Sequence, residues 1–251
     1  MSFKGLMMRQ LIYSMLSLVT LLVFSSCSSD NSTSSTEPIV MIDDNSTDDN
    51  KTFKDAVLHD PSFSSEHFSG SQTCAECHDN ITDTAGTDVS IVHAWKSSMM
   101  ANASIDPLWR AKVASEVKRN PTFKDTIEEK CSRCHTPMAD VEARFAGESV
   151  TLSGNGFLNP TNPHYDSAID GVSCTLCHQI ENSAQLGTDA GFSGKFIIAE
   201  NYTTDRKIYG PYTSPVTQPM INNVQFTPEY SAHMDSSELC ASCHNLDTPV
   251  I

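Results

Sequence analysis

Four segments of one form carry the chemistry of this chain: CAECH at 74–78, CSRCH at 131–135, CTLCH at 174–178 and CASCH at 240–244. Each holds two thiols three positions apart and an imidazole directly after the second. On a helix, positions i, i+3 and i+4 share one face, so the three side chains of a motif address a single object. The four motifs use eight of the nine cysteines. Three chemistries compete for them. Disulfides are common in exported chains, but pairing two cysteines one helical turn apart is tight, and a disulfide framework has no use for the histidine. Zinc takes C-x-x-C, yet needs a second ligand pair. Two zinc sites assembled from four motifs would not need His at the same place each time. Covalent haem attachment needs every residue of the pattern: two thiols for the two vinyl groups on one porphyrin edge, and an imidazole for the iron. The fourfold recurrence selects this third chemistry. It assigns thioether links to Cys74, Cys77, Cys131, Cys134, Cys174, Cys177, Cys240 and Cys243, and proximal iron ligation to His78, His135, His178 and His244. The cofactor expected is four haem c, with iron.

The sixth ligand of each iron decides whether it can bind substrate or only pass electrons. Five histidines lie outside the motifs: His59, His67, His93, His164 and His233. They are enough to close four sites and are the distal candidates. His67 and His233 each precede a motif by seven residues, and His164 precedes one by ten. His93 falls in SIVHAWK, which reads as a helix. Met99, Met100, Met138 and Met234 are rival ligands, but methionine more often packs against an apolar surface, and that role is expected here.

The motifs are spaced 57, 43 and 66 residues apart, a loose repeat with no solenoid period. Helices should carry them. Asp235 with Glu238, and Asp125 with Glu128, read as capping boxes, and Asp170 or Ser173 as the cap of the third motif. The clearest helix is DPLWRAKVASEVKRNP, with Asp106 as cap, Pro107 at the first helical position and Asn120-Pro121 as its end. Trp109, Val113 and Val117 give it an apolar stripe. GFLNPTNPHYD and GPYTSPVTQPM read as irregular loops, and GKFIIAE with KIYGPY as a short hairpin. The fold class expected is mainly α with long irregular loops, organised around four covalent haems. Large porphyrin faces then supply apolar surface that a chain with 39% hydrophobic residues is short of.

The N-terminus reads as an export signal: Lys4 and Arg9, an apolar run from Leu11 to Phe24, then Ser25 and Ser26. The run is too short for a membrane span. Cys27 follows at once and is a lipidation candidate, its setting resembling a bacterial lipoprotein signal. Ser28 after it favours the outer membrane by the same resemblance. Residues 28–50 carry six acidic residues and no basic ones, too polar to repay their ordering entropy. The expected organisation is a lipoprotein-type signal over 1–26, an acidic tether over 27–52 and a tetrahaem domain over 53–251. With 16 basic residues against 31 acidic, the net charge of −15 argues against a nucleic-acid partner.

The four motifs, with HFSGSQTCAECH, HAWKSSMMANASIDPLW, CSRCHTPMA, DGVSCTLCHQI and CASCHNL, resemble the multihaem c-type cytochromes of the cytochrome c554/c552 group over roughly Phe63 to Leu246. That resemblance implies a mainly helical fold, closely stacked haems and electron transfer in the cell envelope, with other redox proteins, multihaem cytochromes among them, as partners. Such relatives often continue beyond the point where this sequence reads NLDTPVI, which leaves the ligand set of the fourth haem open. The primary expectation is an electron carrier. The alternative is a multihaem oxidoreductase, a reductase of nitrogen or sulfur oxyanions or a hydroxylamine-type oxidase, with one haem site open. The acidic surface and the supply of histidines argue against it.

Overall fold

The computed structural model describes residues 61–200 and 206–247; Cys27, His59, the export segment and the boundary expected at 52/53 lie outside them. The described residues all fall within the single unit Leu58–Ile251. Nine α-helices are found among them, joined by long turns, with a little strand: α1 (Ser71–His78), α2 (Ile91–Lys96), α3 (Pro107–Arg119), α4 (Lys124–His135), α5 (Pro137–Phe145), α6 (Tyr165–Ile169), α7 (Cys174–Cys177), α8 (Gln218–Val224) and α9 (Ser237–His244). Short 3₁₀ turns precede α4 and α9. None of these helices is long and apolar enough to cross a membrane.

Helix α5 is the hub. Pro137 stands at its first position, where the missing N–H costs nothing, and every residue from Pro137 to Ala143 is buried. It packs against α4 and α6. Ala139 and Ala143, one turn apart, face a core of Trp109, Val113, Leu152, Phe157 and Ala168. Met138 and Val141 face a second core with Phe68, Leu176, Ile180 and Ile198. Small residues on one side let α3 and the 150s loop approach closely; larger ones on the other fill the space beneath α7. Each large side chain so buried contributes about 1.5–3 kcal/mol.

Helix α3 has the expected form. Asp106 accepts the Leu108 N–H at 2.9 Å, Pro107 follows it, and Trp109 and Val113 are buried. Ser173, one of the two residues expected to cap the third motif, stands at the N-cap of α7, without a side-chain cap bond; the other caps differ from expectation. Ser236, not Asp235, caps α9: its hydroxyl accepts the Glu238 N–H and donates to the Glu238 carboxylate, while Asp235 ends the preceding 3₁₀ turn. Asp125 lies within the first turn of α4, whose cap position is Phe123. Glu128 is turned inward, fully buried, accepting from Lys124 Nζ at 2.7 Å, Leu152 N at 3.0 Å and Ser153 Oγ at 2.5 Å. A carboxylate with three donors nearby satisfies a buried loop instead of a helix end. Asp170 does cap a helix, but a distant one. It accepts from the backbone N–H and the hydroxyl of Ser71, at the start of α1, at 2.9 and 2.6 Å.

The expected hairpin does not form. Residues 207–210 (β1) pair in parallel with residues 227–230 (β2), Lys207 opposite Thr227, and α8 lies between them in sequence. Ile198 instead bridges to Ile180. Parallel pairing needs a crossover connection, and the segment through α8 supplies it. The loop expected over 210–220 therefore ends in helix, and that expected over 156–166 is a run of turns to 164 and then enters α6.

Candidate functional site

Each motif lies at the C-terminal end of a helix: the first closes α1, the second α4, the third forms α7 with His178 at its C-cap, and the fourth closes α9. All eight cysteines are free thiols. Among the described residues no group of three or more His, Cys, Asp or Glu side chains converges to hold a metal ion.

Two motif imidazoles are oriented by backbone carbonyls from elsewhere in the chain. His135 Nδ1 donates to Ala103 O at 2.9 Å, and its ring stacks on Trp109 with centroids 4.5 Å apart and planes 10° from parallel. The Ala103 turn is itself fixed, since Ser104 Oγ donates to Ile169 O and Arg110 Nε donates to Ser104 O. His178 Nδ1 donates to Tyr209 O at 2.6 Å, while Tyr209 N donates back to His178 O at 2.7 Å. Strand β1 therefore has a positional role: it holds the third motif's imidazole. A histidine whose Nδ1–H is committed to a carbonyl keeps its lone pair on Nε2, the form a metal needs. Burial also lowers the His135 pKa, against the opposing bond to Ala103, which favours the neutral ring. His78 is half-buried and His244 exposed.

The motifs approach one another in pairs. A hydrogen bond with Cys174, then burial, pushes the Cys74 thiol up; a hydrogen bond with Cys134, then burial, does the same for Cys243. Burial moves Cys131 and Cys177 to about 11. Thiols so raised are protonated at neutral pH, unlike the low-pKa cysteines of thiol redox enzymes. The tethers between motifs are visible in the backbone. Thr175 Oγ1 donates to Ser69 O at 2.9 Å, linking the third motif to the first, and Gly194 N donates to Ser242 O at 2.7 Å, drawing the 190s loop onto the fourth.

The histidines outside the motifs differ sharply from one another. His67 is fully buried, with Nδ1 at 3.0 Å from Glu142 Oε2. His233 is buried, with Nδ1 at 2.7 Å from Ser231 Oγ and Nε2 at 2.8 Å from Ile180 O. His164 Nε2 lies 2.9 Å from Glu148, and its ring meets the Phe157 ring edge-on. His93, on α2 as expected, is 71% exposed and lies 2.6 Å from Asp88. Of the methionines, Met138 is wholly buried in the second core, whereas Met99 and Met100 are exposed.

The residues that sequence reasoning missed are those that hold the imidazoles: the carbonyls of Ala103 and Tyr209, the Trp109 ring as a stacking partner, and Glu142. Burial opposes ionisation of Glu142, but hydrogen bonds from His67 and Ser65 outweigh it and lower its pKa. The only signal for Glu142 was a charged residue in PMADVEARF, a segment that also carries Asp140 and Arg144 and so does not single it out.

The donor sets fit haem c: paired thiols and an imidazole on one helical segment, with the ring nitrogen away from the metal fixed by a carbonyl at two of the four. Residues 73–179 match the model of the family described as cytochrome c554 and c-prime. That stretch holds the first three motifs. No curated protein and no solved structure matches the chain.

Proposed function

We propose, from the membership of residues 73–179 in the cytochrome c554 and c-prime family, that this chain is an exported tetrahaem c-type cytochrome that carries electrons between redox partners in the cell envelope. The observation that carries the proposal is the commitment of His135 and His178 to the carbonyls of Ala103 and Tyr209, since it prepares Nε2 of two motif imidazoles for iron. Haem c, when bound, supplies an iron that takes up and releases one electron. The chain's part is to bind, orient and shield. Cys74 and Cys77, Cys131 and Cys134, Cys174 and Cys177, and Cys240 and Cys243 hold one group each; His78, His135, His178 and His244 are the proximal ligands. The Trp109 ring and the β1 backbone fix two of those imidazoles, and rigid ligands keep the reorganisation accompanying a change of iron charge small. A cavity of about 360 Å³ beside α5 is lined by Arg133, Arg144 and Lys195, by the carboxylates of Asp140 and Glu200, and by apolar residues such as Phe145; Arg133 is paired with Glu129, and Arg144 with Glu129 and Asp140.

Cys27 is proposed as the lipid-anchored residue that holds the chain at the outer membrane, with other redox proteins, multihaem cytochromes included, as partners. The test is expression of the whole chain in a host that matures c-type cytochromes, followed by denaturing mass spectrometry and a haem assay. Four covalent haems per chain are expected, and three in the Cys131→Ala/Cys134→Ala variant. A colourless, haem-free product from that host refutes the proposal.

A further inference from the structure

Among the described residues, His67 is the most firmly anchored imidazole outside the motifs. Its side chain is wholly buried, and residues far away in sequence fix it on three sides. Glu142 Oε2 faces Nδ1 at 3.0 Å, and Glu142 Oε1 accepts the His67 backbone N–H at 2.9 Å. The His67 carbonyl accepts from Gln179 Nε2 at 2.9 Å and from Arg206 at 3.0 Å. Ser65 Oγ donates to Glu142 Oε1 at 2.6 Å, which steadies the carboxylate. The Phe145 ring lies against the imidazole, centroid to centroid 4.2 Å. Both Glu142 and Phe145 come from α5, so the hub helix of the fold carries the support of this one histidine.

None of the other described histidines outside the motifs is held this way. His233 has a hydroxyl at one ring nitrogen and a carbonyl at the other. His164 and His93 pair with the exposed carboxylates of Glu148 and Asp88. A buried carboxylate on the nitrogen away from a metal is the arrangement that orients ligating histidines and strengthens them as donors.

We propose that Glu142 is a positioning residue for His67 as a distal haem-iron ligand: its carboxylate takes the Nδ1–H hydrogen bond, fixes the ring and makes Nε2 a stronger donor to the oxidised iron. The proposal rests on the multihaem reading above. A stronger donor stabilises the ferric over the ferrous state, so the iron held by His67 has a lower reduction potential than it would with a neutral partner behind the imidazole. A carboxylate that merely fastened residues 65–68 to α5 would affect stability and leave the iron untouched.

The experiment uses the haem-loaded whole chain. Potentiometric titration followed in the visible bands resolves the midpoints, and electron paramagnetic resonance of the oxidised protein counts low-spin and high-spin irons. In Glu142→Gln, which keeps the shape and an acceptor for Nδ1–H but loses the charge, one midpoint is expected to move upward while the others stay. In His67→Ala, one low-spin iron is expected to become high-spin. Unmoved midpoints in Glu142→Gln, or an unchanged low-spin count in His67→Ala, overturn the proposal. If Glu142→Gln fails to fold, Ser65→Ala takes its place. Removing one donor from the carboxylate tightens its hold on Nδ1 and moves the same midpoint downward; no movement overturns the assignment. A chain that binds no haem refutes the reading beneath it, an outcome separate from a haem-loaded chain whose midpoints do not respond.

Discussion

Glu128 shows how much a single buried carboxylate can organise. It sits three residues before the second motif, is wholly excluded from solvent, and holds the 150s loop through Leu152 N and Ser153 Oγ while pairing with Lys124. Removing the charge leaves donors with a weaker acceptor, so Glu128→Gln should cost about 1–3 kcal/mol in chemical denaturation. The pH dependence has a definite sign. Burial raises the Glu128 pKa, but the bonds from Lys124, Ser153 and Leu152 prevail and leave it below the ordinary 4.5. A carboxyl whose folded pKa is depressed contributes stability that is complete above its unfolded value and is lost as pH falls through its folded one. The unmodified chain should therefore lose stability on acidification below about 4.5, and Glu128→Gln should flatten that part of the profile. Thermal unfolding at a series of pH values checks both. Trp109 is instructive in another way. Its place on an apolar stripe was legible, yet its stacking on His135 was not, because the two meet only when α3 folds back along α4.

At the scale of elements, the link between the Met100–Ala101 turn and the third motif is the sharpest constraint. Gly171 has φ +64, and a Cβ there would stand 2.7 Å from the carbonyl oxygens of both Met100 and Ala101. Val172 N donates to Met100 O at 3.0 Å, and Trp95 Nε1 donates to Val172 O at 2.9 Å, so α2, the turn after it and the approach to α7 are tied at this point. Gly171→Ala should cost the about 1–2 kcal/mol of left-handed strain that a Cβ introduces, and more from the backbone displacement that the Cβ forces. Gly147 is the internal control: its φ is +70, but nothing lies within 4 Å of the Cβ position. Denaturation midpoints should fall for both variants and fall further for Gly171→Ala. Equal losses would mean that the close approach carries no weight.

For the whole molecule, charge is the governing quantity. A chain at −15 attracts a partner with a cationic face and repels an anionic one. On the proposed reading, electron exchange with a basic redox protein should slow by about tenfold or more between roughly 0.01 and 0.15 M salt, as the screening length shrinks from about 30 to 8 Å. Exchange with an acidic acceptor should speed up over the same range. Stopped-flow rates across an ionic-strength series decide it, and a rate independent of salt would remove charge steering from the account.

The sequence by itself determined what is local. The four motifs, the cap and stripe of α3 and the helical setting of His93 are written within a turn or two of chain, where spacing and propensity act directly. The family resemblance rests on the same short phrases, and the match over 73–179 bears it out. What only the tertiary structure decided is which groups stand behind the imidazoles. The Ala103 carbonyl reaches His135 across 32 residues, Tyr209 reaches His178 across 31, Glu142 reaches His67 across 75, and Asp170 caps α1 across 99. A carbonyl is present at every residue and leaves no mark in the sequence. Only the packing around α5 selects the ones that matter, because a buried polar group must find its partner wherever the fold places one.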